Sequence, residues 1–304
     1  MKSIILSAAI TILTIYSFGQ QEYSYTNYFE ANSFYNPAAT GTDGTQNITA
    51  LFRKQWAGFD GSPMNGGLVY ENQLSDYNMG IGGYAFIDQI GATTMTSLAA
   101  NYSYSLKLND KHNLAFGIDA GADIYSTDYN RLVYWDDDEM FDNQSPISVT
   151  PRVGFGVHYY TESYYVGISV PRIVTFNNDS PISISSSKMP SIVSNYYLSG
   201  GYKFPIGSDF EMQINMLGKY TPRILPQGDL NVMATYKSII GLGAGYKSLG
   251  FASAYLQYSY EGVVTIGYAF DFTVTEMANY SSGSHEIMIK YTIPKKKAIS
   301  SSIK

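Results

Sequence analysis

The chain has 304 residues, among them 29 Tyr, 28 Gly and no Cys, and carries a formal net charge of −6. The acidic balance argues against a nucleic-acid partner, and the missing cysteines exclude a disulfide framework and a lipid-modified N-terminus. Only 14% of the residues are charged, against about 25% in soluble domains, so much of the surface is expected to face something other than water.

Residues 1–19 read as a cleaved secretory signal. Lys2 gives a positive start, an apolar run extends from Ile4 to Ile15, and Ser17-Phe18-Gly19 precedes the polar Gln20-Gln21-Glu22. The run is shorter than the roughly 20 apolar residues of a spanning helix, so cleavage between Gly19 and Gln20 is expected rather than anchoring. Residues 20–44 are too long and too aromatic for a free tail, with Tyr23, Tyr25, Tyr28, Phe29, Phe34 and Tyr35. They are expected to fold into the periplasmic mouth or the lumen as a partial plug; the alternative is a periplasmic arm ordered by a partner. Pro37 and Gly41 suit a turn into the strand that follows.

From 45 to 293 the sequence alternates with period two. Leu114, Phe116, Ile118, Ala120, Ala122 and Ile124 interleave with Ala115, Gly117, Asp119, Gly121 and Asp123, and similar alternation returns near 212–220 and 264–272. One such face suits lipid and the other water. After the signal no stretch approaches 18 apolar residues, so spanning helices are excluded and a closed barrel is the remaining way across a bilayer. The fold class is therefore all-β, a transmembrane antiparallel β-barrel. Fourteen strands are predicted, at 45–53, 65–73, 78–88, 92–106, 111–124, 150–160, 163–171, 192–204, 209–221, 226–237, 239–247, 252–260, 262–272 and 284–293. Long links follow odd-numbered strands and short turns follow even ones, the sorting expected when both barrel ends are periplasmic. Tyr159-Tyr160, Tyr164-Tyr165, Tyr196-Tyr197 and Tyr258 to Tyr260 are read mainly as an interfacial girdle. Residues 294–304 form a C-terminal periplasmic tail whose Lys295 to Lys297 cluster is a solvated end.

No catalytic set emerges, and no cofactor is expected. His112 lies beside a predicted periplasmic turn, His158 faces the lumen and His285 opens the last strand, without metal-ligand spacing among them. Asp136, Asp137, Asp138 and Glu139 make the longest outer loop a calcium candidate, although their spacing fits no EF-hand and a solvated loop explains them as well. The lumen is assigned Asp119, Asp123, Arg152, Glu211, Lys219, Lys237, Asp271, Glu286 and Lys290. Mixed signs allow a wet pore or a cross-braced, closed interior, and no one sign dominates as ion selection would require.

Two motifs are more specific: Asn36-Pro37-Ala38-Ala39-Thr40-Gly41, and Arg53-Lys54-Gln55-Trp56-Ala57-Gly58-Phe59-Asp60-Gly61-Ser62-Pro63. In order and spacing they resemble the PorP/SprF family, which reads Asn-Pro-Ala-x-x-Gly, a first strand, then Arg-x-Gln-Trp-x-Gly and Gly-x-Pro. After Pro63 the chain departs, with Met64-Asn65 where the family commonly has Arg-Thr or Lys-Thr, which leaves the partner open. The resemblance implies an outer-membrane component of the Bacteroidetes type IX secretion system, associated with gliding motility and the display of surface adhesins. Its implied partners are a secreted protein bearing a type IX C-terminal domain and other secretion components, within outer-membrane lipid. Asn36, Pro37, Gly41, Arg53, Gln55, Trp56, Gly58, Gly61 and Pro63 are then candidates for partner docking or for a structural role, in which Arg53 turns inward to pair with Asp119 or Asp271. The expected function is a non-enzymatic barrel that binds, helps export or anchors the secreted protein; the alternative is a small-solute channel similar to the fatty-acid channel class.

Overall fold

The structure is a computed structural model that describes residues 25–74, 77–128, 147–175, 182–183, 194–222 and 224–294. The signal and its cleavage site, the acidic loop with Asp136, Asp137, Asp138 and Glu139, and the Lys295 to Lys297 cluster lie outside the described residues.

Fourteen antiparallel strands close into a barrel: β1 (Gln46–Lys54), β2 (Met64–Leu74), β3 (Met79–Ile90), β4 (Thr93–Lys107), β5 (Asn113–Thr127), β6 (Ile147–Tyr160), β7 (Tyr164–Val170), β10 (Tyr196–Ile206), β11 (Phe210–Tyr220), β12 (Gln227–Tyr236), β13 (Ile240–Lys247), β14 (Phe251–Tyr260), β15 (Val264–Thr273) and β16 (Ser284–Ile293). β8 (Val174–Thr175) and β9 (Ile182–Ser183) form a separate parallel pair in the connection after β7. Neighbours in sequence pair around the ring, and β1 pairs with β16 to close it, Gln46 opposite Ile293 and Lys54 opposite His285. The predicted count of fourteen therefore holds. β10 runs from Tyr196, with 192 and 193 of the predicted strand outside the described residues, and just before it the buried Asn195 accepts a hydrogen bond from Thr221 Oγ1.

Alternation determines what each face meets. Phe116 and Ile118 are exposed on the outer wall of β5, whereas Ala115, Asp119 and Asp123 are buried inside. The outer wall is apolar through Phe52, Leu98, Val153, Ile168, Met216, Leu242 and Ile287, a band far larger than the exposed apolar patches a soluble monomer tolerates. Among the described residues no helix is long and apolar enough to cross a membrane. Closure gives every barrel strand a hydrogen-bonded neighbour on both sides, which is what a bilayer demands.

The tyrosine pairs divide between the two faces. Tyr164, Tyr196, Tyr258 and Tyr260 point outward. Tyr160 instead donates to Ser105 Oγ and Tyr165 to Asn215 Oδ1, while the Tyr197 ring packs on Tyr35. Consecutive residues in a strand cannot both face lipid, so only one of each adjacent pair belongs to a girdle. The Gly-rich β13 follows similar logic: a Cβ on Gly243 would sit 2.2 Å from the Tyr255 ring, so its inward glycines make room for a buried aromatic.

Candidate functional site

Residues 25–44 lie inside the barrel, between the first described residue and β1, and touch strands all round the ring. Asn101 on β4 donates to Ser33 O, Ser169 on β7 to Tyr35 O, and Asn231 on β12 to Thr26 O. The segment is helical over Tyr28–Ala31, Asn32–Tyr35 and Pro37–Ala39. Tyr25, ahead of these short turns, and Tyr28 and Tyr35 within them are almost completely buried. The Phe34 ring lies 4.1 Å from that of Phe86 and 5.0 Å from that of Tyr84, centroid to centroid. Each such ring contributes about 1.5–3 kcal/mol by leaving water. Burial also pushes the Tyr25 and Tyr28 phenols well above their ordinary range, so both remain neutral.

The first motif forms the seat of this segment. Asn36 Nδ2 donates to Val157 O, and its Oδ1 accepts from Ala38 N, capping the Pro37–Ala39 turn. Strand glycines lie directly beneath. A Cβ on Gly117 would come within 2.2 Å of Ala38 N, one on Gly156 within 2.0 Å of Asn36 Oδ1, and one on Gly80 within 2.0 Å of Thr40 O. Ser103 Oγ donates to the same Thr40 carbonyl. Gly41 has φ +69 and its ideal Cβ would lie 2.9 Å from Asn72 O, so no side chain fits at this exit into β1.

Two buried ion clusters flank the segment. In the first, Glu286 accepts from the backbone N–H of Thr26 and of Asn27, from Asn27 Nδ2, and from Arg53 Nη1. Asp271 accepts from Arg53 Nη2 at 2.6 Å, Lys247 Nζ at 3.2 Å, Ser253 Oγ and Thr26 Oγ1. Two carboxylates thus meet two cations, and the remaining donors come from Ser253 on β14 and from Thr26 and Asn27 at the start of the segment. In the second cluster Arg152 pairs with Asp119 at 3.2 Å, and Asp123 receives Arg172 at 2.5 Å and Ser97 at 2.6 Å. Tyr84 donates to Asp119 and lies beneath the Arg152 guanidinium.

Other predicted lumen charges lie elsewhere. Glu211 has the inward parity but is exposed at the rim, one residue into β11, and Lys219 is half-buried on the same face. Lys237 is not in the lumen: it sits in a turn with φ 50 and pairs at 3.9 Å with Asp209, both exposed. Lys290 pairs with Glu30 at 3.2 Å in a cavity of about 560 Å³ at the turn-bearing mouth. Strand parity alone places Lys247 inward at the end of β13, whereas Arg172 lies beyond the end of β7, where alternation gives no guidance. His112 bonds Tyr159, His285 bonds Tyr268, and His158 stacks on Tyr160 with the Tyr165 ring tilted beside it. No group of three or more metal-ligating side chains occurs among the described residues.

The second motif crosses the opposite rim. Arg53 and Gln55 are buried, Trp56 has φ 49, and Gly58 and Gly61 take positive φ. Gln55 N–H donates to Pro63 O, Ala57 N–H to Gly283 O, and Gly91 N–H to Gly61 O. The loop is therefore braced against both neighbouring connections, and Phe59 is left exposed at its tip.

An apolar outer wall, a closed fourteen-strand ring and a polar, ion-paired interior define an integral outer-membrane β-barrel, because helices span other bacterial membranes and barrels this one. Residues 17–291 match the family described as type IX secretion system membrane protein PorP/SprF, and the chain belongs to that family. No curated protein matches it. Among solved structures it is similar to the CymD monoaromatic hydrocarbon channel, with 11% identity over 88% of this chain and 94% of that one and a TM-score of 0.55. It is also similar to the Ralstonia pickettii toluene transporter TbuX, with 10% identity over 86% and 92% and a TM-score of 0.50. At such identities the likeness is one of fold.

Proposed function

We propose that this barrel is a non-enzymatic docking component of type IX secretion, which receives the C-terminal domain of a secreted adhesin or enzyme and holds it at the cell surface. The observation that carries this reading is the occupied lumen. A segment pinned by a buried ion cluster and pressed on strand glycines suits a rigid platform better than a conduit. The braced loop from Arg53 to Pro63, with Phe59 at its tip, offers a preformed contact whose ordering cost is already met. Affinity capture of the full-length barrel from detergent-solubilised outer membranes is expected to recover a secreted protein with a type IX C-terminal domain. Recovery of none would count decisively against docking.

The solute-channel alternative requires residues 25–44 to leave the lumen. Deleting residues 22–34 is expected to raise single-channel conductance severalfold in planar bilayers. Conductance equal to that of the full chain would show that the segment does not obstruct the lumen. Liposome swelling with small polar solutes by the intact chain would favour the channel.

A further inference from the structure

Every Lys and Arg in the described strands faces the lumen or its mouths, with one exception. Lys54, the last residue of β1, follows the lipid-facing Phe52 in the alternation and is half-buried on the outer wall, at the rim away from the chain ends. Its direct cross-strand partner is His285, and His285 in turn faces Phe270. Directly opposed residues hold their Cβ atoms about 5 Å apart, so Lys54 and His285 stand side by side on the lipid face. His285 Nδ1 is engaged with Tyr268 Oη at 2.7 Å, and its other ring nitrogen has no hydrogen-bond partner among the described residues.

Lys54 Nζ donates to Ser62 O at 3.0 Å, and no carboxylate lies within ion-pair distance of it among the described residues. Its ammonium has three donors, so two are left. On the side away from His285 it borders a cleft of about 190 Å³ with Ser62, Met64 and Gln89. A cation on a lipid-facing wall is costly at depth and nearly free at the interface, where headgroup anions are at hand. The loop from Gln55 to Pro63 fixes the position, since Ser62 is buried and Gln55 N–H is bonded to Pro63 O.

We propose that Lys54 and His285 bind a phosphate group of an outer-leaflet glycolipid against the outer wall of β1 and β16. Lys54 Nζ supplies the charge, the free ring nitrogen of His285 donates a hydrogen bond in its protonated or Nε2–H form, and Phe270 and Ile287 pack beside the acyl chains. Inorganic phosphate shares the chemistry but lacks the chains.

Native mass spectrometry of the full chain, purified in a zwitterionic detergent from its own outer membrane, tests this. The unaltered barrel is expected to retain phosphorylated glycolipid, with occupancy about tenfold lower in Lys54→Gln, as loss of a charge-assisted hydrogen bond implies. Lys54→Arg should restore it, and His285→Gln should lower it less. Both side chains face outward, so heat-modifiable gel mobility should report a folded barrel in each variant. Equal occupancy in Lys54→Gln, or equal retention of enzymatically dephosphorylated glycolipid, would overturn the proposal. Inorganic phosphate competing as effectively as the glycolipid would overturn the lipid source.

Discussion

Gly117→Val is expected to expel residues 25–44 from the lumen while leaving the barrel wall standing. The added Cβ would meet the Ala38 N, the Pro37 carbonyl carbon and the Ala38 Cα, all within 2.4 Å. These are backbone atoms, with no flexible side-chain end to yield. Valine itself suits a strand, and Gly117 pairs normally with Ser103 and Gly156 on either side, so the wall has no reason to fail. Overpacking in a core costs typically 1–3 kcal/mol even where side chains can shift, and a backbone clash costs more. The variant should retain heat-modifiable mobility, become cleavable by protease within residues 25–44, and conduct severalfold more than the parent. Resistance to protease equal to that of the parent would mean that the belt from Asn36 to Thr40 does not rest on β5.

Arg53→Ala should be the most destabilising single substitution in the first ion cluster, at about 3–5 kcal/mol, because it leaves two buried carboxylates short of a counter-charge. Asp271 would retain Lys247, whereas Glu286 would be left with the segment's amide donors alone. Glu286→Gln removes a charge but keeps one acceptor oxygen, so it should cost less. Urea unfolding in lipid vesicles, followed by gel mobility, measures both. Since the cluster is buried, added salt should leave the difference nearly unchanged. Equal midpoints for the parent and Arg53→Ala would show that the pairs with Asp271 and Glu286 contribute nothing net.

Much of the barrel could be read from the sequence because membrane strands must alternate, and alternation is local. Phe116 and Asp119 declare their faces from their immediate neighbours, and link lengths sort the two rims. What alternation cannot supply is height along a strand: parity points Glu211 and Lys237 at the lumen, yet one sits at the rim and the other in a turn. Nor can it supply partners across the ring. Arg53 and Asp271 are 218 residues apart, and only closure brings them together. The Asn36 to Gly41 motif was visible as a turn, but its counterpart is a set of single glycines on different strands, Gly80, Gly117 and Gly156. Each of those glycines alone looks like an ordinary small residue on the inner face. They become a seat only when β3, β5 and β6 curve around one short stretch of chain.

Arg53 and Glu286 are direct partners in register across the β1–β16 pair, so the anchor for Thr26 and Asn27 straddles the seam at which the ring shuts. Glu286 belongs to the last strand of the ring, and the residues it holds are among the first that the structure describes. An open sheet has no such anchor to offer. Thr26 and Asn27 can therefore take up this anchor only where the final strand meets the first, so their seating reports that the ring is shut.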